Sequence, residues 1–477
     1  MPQPVLLINT NLARPPVSPV GLEYVGEALV EAGLPVRILD LALENDWQTA
    51  LARELAREEP LLVGLTVRNT DDCSFATRKS FLPWITEITA EAKHLTSAPV
   101  LLGGVGFSIM SEAVLRLTGA DIGIAGDGEE VVPALLKCLI NNEDIRHLPN
   151  LVYRQNEKII CNRRIDVNPE LFPIPRRRLF DNRRYEELGA LVGIETKRGC
   201  PQQCIYCADP VAKGANARLR PPGRVVQEFR DLLTSGVSWF HLCDSEFNQP
   251  LNHAKAICRA IIEANLGDRL HWYTYCSPVP FDLELAMLMK QAGCNGINFG
   301  VDSLCDEQLS RLGRSYSVDN IRQLTRILEQ TGLDYIFDLL IGGPGETQTT
   351  VTTTIETAKK LDVPLVGIAA GVRLYPGTPL SRDIASGIIR EGLHPEGASE
   401  FHEPAFYLSP HLGNDPFQLV HELVGSDPRF LLLVSPDEEE SYNYTDDQAL
   451  CRMIDEGARG AYWHILSKNR GQTEATP

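Results

Sequence analysis

Residues 198–208 read RGCPQQCIYCA and place three cysteines, Cys200, Cys204 and Cys207, on one short segment. Three thiolates on a short loop can bind three irons of a cubane cluster and leave the fourth iron open. A closed structural zinc site normally needs four protein ligands, often as two separated pairs, and no second C-x-x-C occurs in the sequence. The spacing therefore favours an iron–sulfur cluster over zinc and over a chance grouping of buried cysteines.

The remaining composition predicts a cytoplasmic, multidomain globular protein. The chain has 477 residues, a hydrophobic fraction of 43% and no apolar run near the ~20 residues that a membrane helix requires. The first apolar segment, PVLLINTN, is short and lacks a positive flank, so it predicts a buried strand and not a signal peptide. The other nine cysteines are scattered, and each is interpreted as a small buried apolar residue without a ligand role.

The charge balance argues against a nucleic-acid substrate. The formal net charge is -18, whereas proteins that bind the phosphate backbone derive much of their affinity from clustered Lys and Arg. One basic run, PRRRLFDNRR at 175–184, is interpreted as a solvated linker whose arginines pair with carboxylates. Small molecules are therefore the favoured substrates.

Residues 1–140 predict a doubly wound parallel sheet of five strands. The apolar segments VLLIN, VRILD, LLVGLTV, PVLLGG and DIGIAGDG alternate with amphipathic helical segments. Sheets of this class bind ligands outside the carboxyl ends of their strands, so the loops that follow the strands should share one rim. These rim loops are residues 9–19, 68–74, 103–108 and 126–129.

The rest of the chain predicts a linker, a partial barrel and a cap. Residues 141–188 are rich in Pro, Arg and Asn and contain a hairpin-like stretch, NLVYRQNEKIIC. Residues 189–380 contain six βα units, which predict an incomplete barrel with its chemistry at the strand C-termini. Residues 381–477 are irregular and are expected to cap the barrel mouth. Aromatic residues of this cap could line a pocket or pack on the barrel: Phe406, Tyr407, Tyr442, Tyr444 and Trp463.

The cysteine segment resembles the C-x-x-x-C-x-aromatic-C motif of the radical S-adenosylmethionine (SAM) superfamily. The resemblance implies that Cys200, Cys204 and Cys207 bind a [4Fe-4S] cluster whose open iron binds the amino and carboxylate groups of SAM. It further implies that an electron from the cluster cleaves SAM to a 5′-deoxyadenosyl radical. A low-potential donor such as a ferredoxin or flavodoxin would supply that electron.

Two later segments resemble SAM-contacting strands of the same superfamily. HLCDSEFN ends the second barrel strand, and the resemblance makes Asp244 and Glu246 candidates for binding the SAM amino group. LLIGGPGET resembles the glycine turn after the fifth strand, where Gly342 and Gly343 would allow the backbone to approach the adenosine closely.

A third segment, NFGVDSLCDEQLSRLGRSYS, resembles the fourth-strand motif. Asp302 stands where a glutamate is usual, and as a shorter carboxylate it can still accept a hydrogen bond from a ribose hydroxyl. Arg314 is a candidate partner for the SAM carboxylate. For each charged residue of the SAM site, the alternative is an ordinary ion pair at a strand end.

The N-terminal sheet resembles the cobalamin-binding domain that precedes the barrel in one large branch of radical SAM enzymes. A Pro-rich first loop, a GGVGFS turn and a fifth-strand GDGE occur in the expected order. A nicotinamide cofactor is disfavoured because the G-x-G-x-x-G fingerprint would need a glycine where Ile109 stands. The resemblance implies cobalamin contacts from Asn9, Arg68, Asn69, Thr70, Gly103, Gly104, Gly106, Gly126, Gly128 and Glu129.

Arg68 is the candidate catalytic residue of the N-terminal domain. Many cobalamin domains supply a lower axial histidine through Asp-x-His-x-x-Gly, and the sequence has no such motif. Arg68, in TVRNTDD, resembles an arginine that the thiopeptide tryptophan C-methyltransferases are thought to hold beneath the cobalt. A guanidinium stays protonated and cannot coordinate, so it would favour low-valent cobalt. The alternative is that Arg68 pairs with Asp71 or Asp72.

The resemblance covers about residues 5–380 and implies a cobalamin-dependent radical SAM methyltransferase. Such an enzyme would transfer a methyl group through cobalamin to an unactivated carbon or related centre of a small metabolite. A second hypothesis keeps both cofactors but catalyses a cyclisation, ring contraction or coupling without methyl transfer. A third hypothesis is a noncatalytic iron–sulfur or corrinoid carrier.

Overall fold

The N-terminal part of the protein is a parallel sheet covered by helices on both faces. The computed structural model describes residues 3–171, 175–397, 403–413, 416–432 and 448–473. Alternate residues of the first strand pack into two different cores, Leu6 and Ile8 into one and Val5 and Leu7 into the other, so the strand is buried on both sides. The elements are β1 (Val5–Asn9), α1 (Val20–Glu31), β2 (Val36–Asp40), α2 (Trp47–Arg57), β3 (Leu62–Thr66), α3 (Leu82–Leu95), β4 (Val100–Gly103), α4 (Val105–Ile109), α5 (Ser111–Thr118), β5 (Ile122–Ile124) and α6 (Val131–Asn141).

The five predicted strands are present, in the order β2-β1-β3-β4-β5, and all are parallel. Two further strands, β6 (Leu151–Gln155) and β7 (Lys158–Cys161), extend the sheet as an antiparallel hairpin beside β5. Asn156 turns this hairpin with a φ of 57°, a conformation that asparagine tolerates well. The segment predicted as a linker, residues 141–188, therefore contributes two strands to the first sheet.

The basic run in the linker region is only partly solvated. Arg177 is buried, and its guanidinium pairs with Glu23 (Nε–Oε2 2.6 Å) and Glu228 (Nη1–Oε1 2.7 Å). Glu23 belongs to α1, whereas Glu228 belongs to a helix of the second half of the chain. The prediction of carboxylate pairing is confirmed, but Arg177 joins the two halves instead of facing water. A short helix, α7 (Asn182–Glu187), follows.

The second half is an open barrel of parallel strands. The six predicted strands pair in the order β8-β11-β12-β13-β14-β15, with helices between them. Its elements are β8 (Val192–Ile194), β9 (Lys197–Arg198), α8 (Asp209–Lys213), β10 (Arg218–Leu219), α9 (Pro222–Thr234), β11 (Trp239–Leu242), α10 (Leu251–Glu263), β12 (His271–Cys276), α11 (Leu283–Gln291), β13 (Cys294–Asp302), α12 (Asp306–Arg311), α13 (Val318–Thr331), β14 (Tyr335–Ile341), α14 (Gln348–Lys360) and β15 (Val366–Ala370).

The region predicted as one cap is divided among three places. The strands β17 (Leu393–His394) and β18 (Phe406–Tyr407) form a small antiparallel sheet with β16 (Val372–Arg373), which precedes the predicted cap. Phe406 of this sheet packs edge-on against Phe75 of the N-terminal domain. The strand β19 pairs with β15 and extends the barrel sheet. Trp463 packs instead at the N-terminal ends of the barrel strands, beside Tyr273. The elements are β16 (Val372–Arg373), α15 (Pro379–Ala385), β17 (Leu393–His394), β18 (Phe406–Tyr407), α16 (Pro416–Val424), β19 (Phe430–Leu432), α17 (Gln448–Asp455) and α18 (Tyr462–Thr473).

Three of the five aromatic residues predicted for the cap are buried. Phe406, Tyr407 and Trp463 are all buried, whereas Tyr442 and Tyr444 lie outside the described residues. No helix among the described residues is both long enough and apolar enough to cross a lipid bilayer.

Candidate functional site

The three motif cysteines lie on the loop between β9 and α8, just after the first barrel strand. Backbone hydrogen bonds hold this loop: Cys200 donates to the Gly214 carbonyl (3.1 Å) and Cys207 to the Cys204 carbonyl (3.3 Å). Gly199, with a φ of 82°, has no room for a side chain, because a Cβ would lie 2.2 Å from the Asn216 carbonyl oxygen. The sequence RGC therefore turns the chain so that the first cysteine enters the barrel mouth.

The thiols of the motif are close enough to influence one another electrostatically. Burial raises the pKa of Cys204 to about 11, and the neighbouring Cys200 adds to that rise. Burial also raises the pKa of Cys207, with contributions from Asp209 and the other two thiols. Bound iron would reverse this, since a metal-bound cysteine is a thiolate. In a cubane each thiolate binds its own iron, so the three sulfurs need not converge on one point.

Two charged atoms beside the cysteines are buried and, among the described residues, have no hydrogen-bond partner. They are the Nζ atom of Lys197 and the Oε2 atom of Glu246. Burial raises the pKa of Glu246 to about 7, against the lowering influence of Arg314 and Lys197. The other carboxylate oxygen of Glu246, Oε1, lies 3.9 Å from Arg314 Nη1. Buried polar atoms without a hydrogen-bond partner are costly, so Lys197 Nζ and Glu246 Oε2 fit ligands that the polypeptide does not supply. An iron–sulfur cluster and the amino and carboxylate groups of SAM offer suitable partners.

The carboxylate of Asp244, predicted to bind the SAM amino group, instead makes hydrogen bonds within the protein. Its carboxylate accepts hydrogen bonds from the backbone N–H groups of Thr196 (2.8 Å) and Lys197 (3.2 Å) and from the Thr196 hydroxyl. Asp244 is also almost completely buried. It therefore anchors the start of the cysteine loop, and of the two predicted carboxylates Glu246 is the one with an available oxygen.

Asp302 and Arg314 lie together at the barrel mouth, joined by Tyr206 of the cysteine motif. Arg314 Nε contacts Asp302 Oδ2 at 2.5 Å, and the Tyr206 hydroxyl donates to the same oxygen at 2.6 Å. Arg314 Nη2 also lies 2.8 Å from the Tyr206 hydroxyl oxygen. This is an ion pair at a strand end, and Tyr206 connects it directly to the cluster loop. The sequence motif includes this aromatic residue but does not indicate which residues it contacts.

The glycine turn after β14 is tightly packed. Gly342 has a φ of 102°, and a Cβ on Gly343 would lie 2.5 Å from the Gln308 side-chain nitrogen. The Glu346 carboxylate accepts hydrogen bonds from both glycine N–H groups, that of Gly343 at 3.1 Å. Burial raises the pKa of Glu346 to about 7. Glu346 was not predicted as a site residue, although it stands in the same GGPGE segment.

Arg68 projects from the rim of the N-terminal sheet toward the barrel. Burial and then the charge of Arg68 lower the pKa of His241, on β11, to about 4, so the two side chains are neighbours. Asp71, offered as an alternative partner, pairs instead with Arg373 (2.8 Å). Within the part of the chain that the structure describes, no carboxylate lies within 4.0 Å of the Arg68 guanidinium. Its hydrogen bond is to the Asn69 side chain, at 3.4 Å.

The GGVGFS turn packs against the loop that carries Arg68. The Gly106 N–H donates to the carbonyls of Val67 (2.9 Å) and Arg68 (3.0 Å). A Cβ on Gly104 would lie 2.6 Å from the Val67 carbonyl oxygen, and one on Gly106 would lie 3.0 Å from the same atom. The two glycines therefore let the β4 turn lie against the loop that carries Arg68.

The other predicted rim residues have varied surroundings. The Asn9 amide is buried and donates to Asp40 (2.8 Å) and Tyr185 (2.9 Å), so this side chain holds the fold together. The Thr70 hydroxyl donates to Asp71 (2.9 Å). A Cβ on Gly103 would meet no atom within 4 Å, whereas Gly126 and Gly128 approach Arg164 and Val25 closely.

Glu129 lies in an ion-pair network between the two domains. Its carboxylate pairs with Arg198, the residue at the start of the cysteine motif, which also pairs with Asp127 (3.1 Å) and Glu195 (2.7 Å). The side chain of Glu129 therefore connects the fifth-strand loop to the cluster loop. The GDGE segment gave no sequence signal for this partner, because Arg198 lies far away along the chain.

Two family models match the chain where these sites lie. The B12 binding domain model matches residues 7–136, and the Radical SAM superfamily model matches residues 194–358. Tryptophan 2-C-methyltransferase from Streptomyces laurentii is 30% identical over 445 residues, which cover 80% of this chain and 74% of that protein. The chain belongs to the cobalamin-dependent radical SAM methyltransferases.

Solved structures agree with this family over the whole length of the methyltransferase. TsrM from Kitasatospora setae, with tryptophan and a SAM analogue bound, has 30% identity and a TM-score of 0.91, covering 99% of this chain and 100% of that one. A second structure of TsrM, with cobalamin and a [4Fe-4S] cluster bound, has 28% identity and a TM-score of 0.88. It covers 100% of both chains. The carrier hypothesis is therefore set aside in favour of an enzyme.

Proposed function

We propose that this methyltransferase uses a [4Fe-4S] cluster, SAM and cobalamin to methylate a carbon of a small metabolite, with tryptophan or a related indole as the first candidate. The fold and the cysteine motif support this proposal. Tryptophan is the substrate named for the relative from Streptomyces laurentii and the ligand of the TsrM structure. When bound, the cofactors supply the methyl group and the redox chemistry, and the polypeptide binds, orients and excludes water.

The single observation that carries the proposal is the position of Arg68. A half-buried guanidinium faces His241 of the barrel and has no carboxylate partner within ion-pair distance among the described residues. Because a guanidinium cannot coordinate a metal, it would occupy one side of a bound cobalt without donating electrons. This property suits methyl transfer, which needs cobalt in a low-valent state.

The remaining roles are assigned to residues at the two facing rims. Cys200, Cys204 and Cys207 would hold the cluster, and Glu246 would contact SAM or the open iron. Asp302, Arg314, Gly342 and Gly343 would bind SAM. The cobalamin contacts would come from Arg68, Asn69, Thr70, Gly103, Gly104, Gly106, Gly126 and Gly128, with Asn9 and Glu129 acting through the loops they hold.

An external electron donor of low potential, such as a ferredoxin or flavodoxin, is part of the proposal. The cluster must be reduced before it can pass an electron to SAM or cobalamin. A chemical reductant can replace this donor in a purified system.

The proposal is tested by anaerobic incubation of the protein, loaded with cluster and cobalamin, with SAM, a reductant and L-tryptophan. Formation of S-adenosylhomocysteine together with a methylated product is the expected result. Release of 5′-deoxyadenosine without a methylated product would support the cyclisation or coupling hypothesis instead. Absence of both nucleoside products would contradict the proposal.

A further inference from the structure

Lys197 is a lysine buried in the protein interior beside the cysteine loop. The residue is only 2% exposed, and its Nζ atom has no hydrogen-bond partner among the described residues. Lysine is almost never buried this deeply without a partner, because an unpaired ammonium group in a protein interior is costly. The position of Lys197 therefore calls for an anion that the polypeptide does not supply.

The strand β9 directs the Lys197 side chain away from the N-terminal domain. β9 consists of Lys197 and Arg198 and pairs antiparallel with β10. The Arg198 guanidinium reaches Asp127, on the fifth-strand loop of the first sheet, at 3.1 Å. Since successive side chains of a strand point to opposite faces, Lys197 points the other way, toward the barrel. Its backbone N–H donates to Asp244, just after β11, at 3.2 Å, which places Lys197 at the C-terminal ends of the barrel strands.

Two acidic groups of the cluster site lie within the electrostatic influence of Lys197. Burial raises the pKa of Cys200, and the charge of Lys197 opposes that rise. Burial also raises the pKa of Glu246 to about 7, and Arg314 and then Lys197 oppose this rise. Lys197 is therefore a neighbour of the first cysteine of the motif and of the carboxylate that follows β11.

The carboxylates near Lys197 contact other cations. Asp209, at the start of α8, pairs with Lys213 at 3.6 Å. Glu246 Oε1 lies 3.9 Å from Arg314 Nη1. Glu246 Oε2 and Lys197 Nζ do not hydrogen-bond to each other, since neither atom has a partner among the described residues. The anionic group that remains for Lys197 is the one that Cys200 helps to hold.

An iron–sulfur cluster has the chemistry that this lysine requires. Its sulfides and its cysteine thiolates accept hydrogen bonds, and reduction adds one further negative charge at the same place. Net charge, hydrogen bonds to sulfur and solvent exposure set the reduction potential of such a cluster. In a buried site the effective dielectric constant is low, so one neighbouring cation acts strongly on this equilibrium.

We propose that the Lys197 ammonium group donates a hydrogen bond to the cluster, at a sulfide or at the Cys200 thiolate, and thereby makes the cluster easier to reduce. One electron from the low-potential donor enters the cluster, and the charge of Lys197 offsets part of the negative charge that is added. No bond to iron forms or breaks at Lys197. This inference rests on the proposed function, which requires a reducible cluster on the cysteine loop.

The test is a redox titration of the cofactor-loaded protein, followed by the paramagnetic resonance of the reduced cluster. Lys197→Met removes the charge and keeps a long, unbranched side chain. At a fixed potential the ratio of reduced to oxidised cluster should fall at least about tenfold, which for a one-electron couple is a midpoint potential lower by about 59 mV. Lys197→Arg keeps the charge and should recover most of the parental ratio.

Lys360→Met is the matched control. It makes the same substitution at an exposed lysine of α14, where water and salt screen the charge. Its midpoint potential should equal that of the parental protein. Iron and sulfide analysis of every variant establishes how much cluster each one holds.

Titration without and with SAM separates the cluster from the SAM carboxylate, which is the other anion of this site. The lower midpoint of Lys197→Met should appear in both conditions. A shift that appears only with SAM would overturn the inference, because it would assign Lys197 to the carboxylate. Loss of the cluster from Lys197→Met alone, with a parental midpoint in Lys197→Arg, would support the need for the charge.

Two further outcomes would overturn the inference. One is a parental midpoint in Lys197→Met protein that holds full iron and sulfide. The other is loss of the cluster from both Lys197→Met and Lys197→Arg, because the charge would then not be what the site requires. A parental protein that binds no cluster would instead contradict the proposed function.

Discussion

Arg198 of the cysteine motif forms a buried ion pair with Asp127 of the N-terminal domain, with Nη1 and Oδ1 3.1 Å apart. Asp127 precedes Gly128 and Glu129 on the fifth-strand loop of the first sheet, and Glu129 contacts the same guanidinium. The loop predicted to bind cobalamin and the loop predicted to hold the cluster therefore share one cation. Arg198 thus joins the two cofactor loops, and Arg218 of β10 adds a second ion pair to Asp127.

The first prediction concerns that shared cation. Arg198→Ala should lower the free energy of unfolding by about 3–5 kcal/mol, because it leaves the carboxylates of Glu129 and Glu195 buried without this cation, whereas Asp127 keeps its pair with Arg218. Urea denaturation followed by circular dichroism measures this change. Arg183→Ala is the control, since the Arg183 pair with Glu187 is exposed and should contribute less than about 1 kcal/mol. Equal stability of the two variants would contradict the proposed coupling.

The second prediction concerns the cluster ligands. Replacing Cys200, Cys204 or Cys207 by Ala should remove most of the iron and sulfide, because one iron of the cubane would lose its protein ligand. Iron and sulfide analysis of anaerobically reconstituted protein, with the visible absorbance of the cluster, measures the loss. Cys305→Ala is the matched control, as Cys305 is a half-buried cysteine outside the motif. A triple variant that kept full iron and sulfide would show that another site holds the metal.

The third prediction concerns the pH dependence of stability at the glycine turn. The pKa of Glu346 is raised from 4.5 to about 7 in the folded protein. Between these values the unfolded chain ionises first, so this group makes the free energy of unfolding fall as pH rises from about 4.5 to 7. The fall can reach about 3 kcal/mol, and no further change follows above pH 7.

Glu346→Gln should remove that slope while keeping an oxygen that accepts from Gly342 and Gly343. The measurement is urea denaturation of the parental protein and the variant at several values between pH 5 and 8. The difference in stability between the two proteins should be larger at pH 7 than at pH 5, in favour of the variant. A constant difference over this range would mean that Glu346 does not titrate there.

The main elements could be predicted from sequence because each has a local signal. The apolar strands of both parallel sheets are continuous runs bounded by turns, and this pattern needs no knowledge of distant partners. The antiparallel hairpin of β6 and β7 lies in a segment that is interpreted as a linker because it is rich in Pro, Arg and Asn, and its pairing with β5 has no local signal. The strand β19 was missed because three residues in an irregular region become a strand only when they pair with β15.

The types of residue at the site could be predicted from the sequence, but the contacts between those residues could not. The cysteines and glycines carry their role in their spacing, and the structure brings them to facing rims. The commitment of Asp244 to Thr196 and the pairing of Arg198 with Asp127 join residues far apart in sequence, for which one chain offers no pattern.

The last prediction concerns Arg68, whose role stays a proposal. If its guanidinium faces the lower side of the cobalt, it excludes water there without donating an electron pair, because guanidinium has no available lone pair. Arg68→Ala should therefore retain cobalamin and acquire a water ligand, which paramagnetic resonance of the cobalt(II) form detects. The variant should also convert SAM to S-adenosylhomocysteine at least tenfold more slowly, which corresponds to about 1.4 kcal/mol of activation free energy. Arg68→Lys should recover only part of the rate, because lysine keeps the positive charge but lacks the planar guanidinium group. Arg78→Ala is the matched control, since Arg78 lies on the same loop region and is exposed. An Arg68→Ala protein with the parental rate and no signal from a water ligand would reduce Arg68 to a structural residue of its loop and return the non-methylating hypothesis to contention.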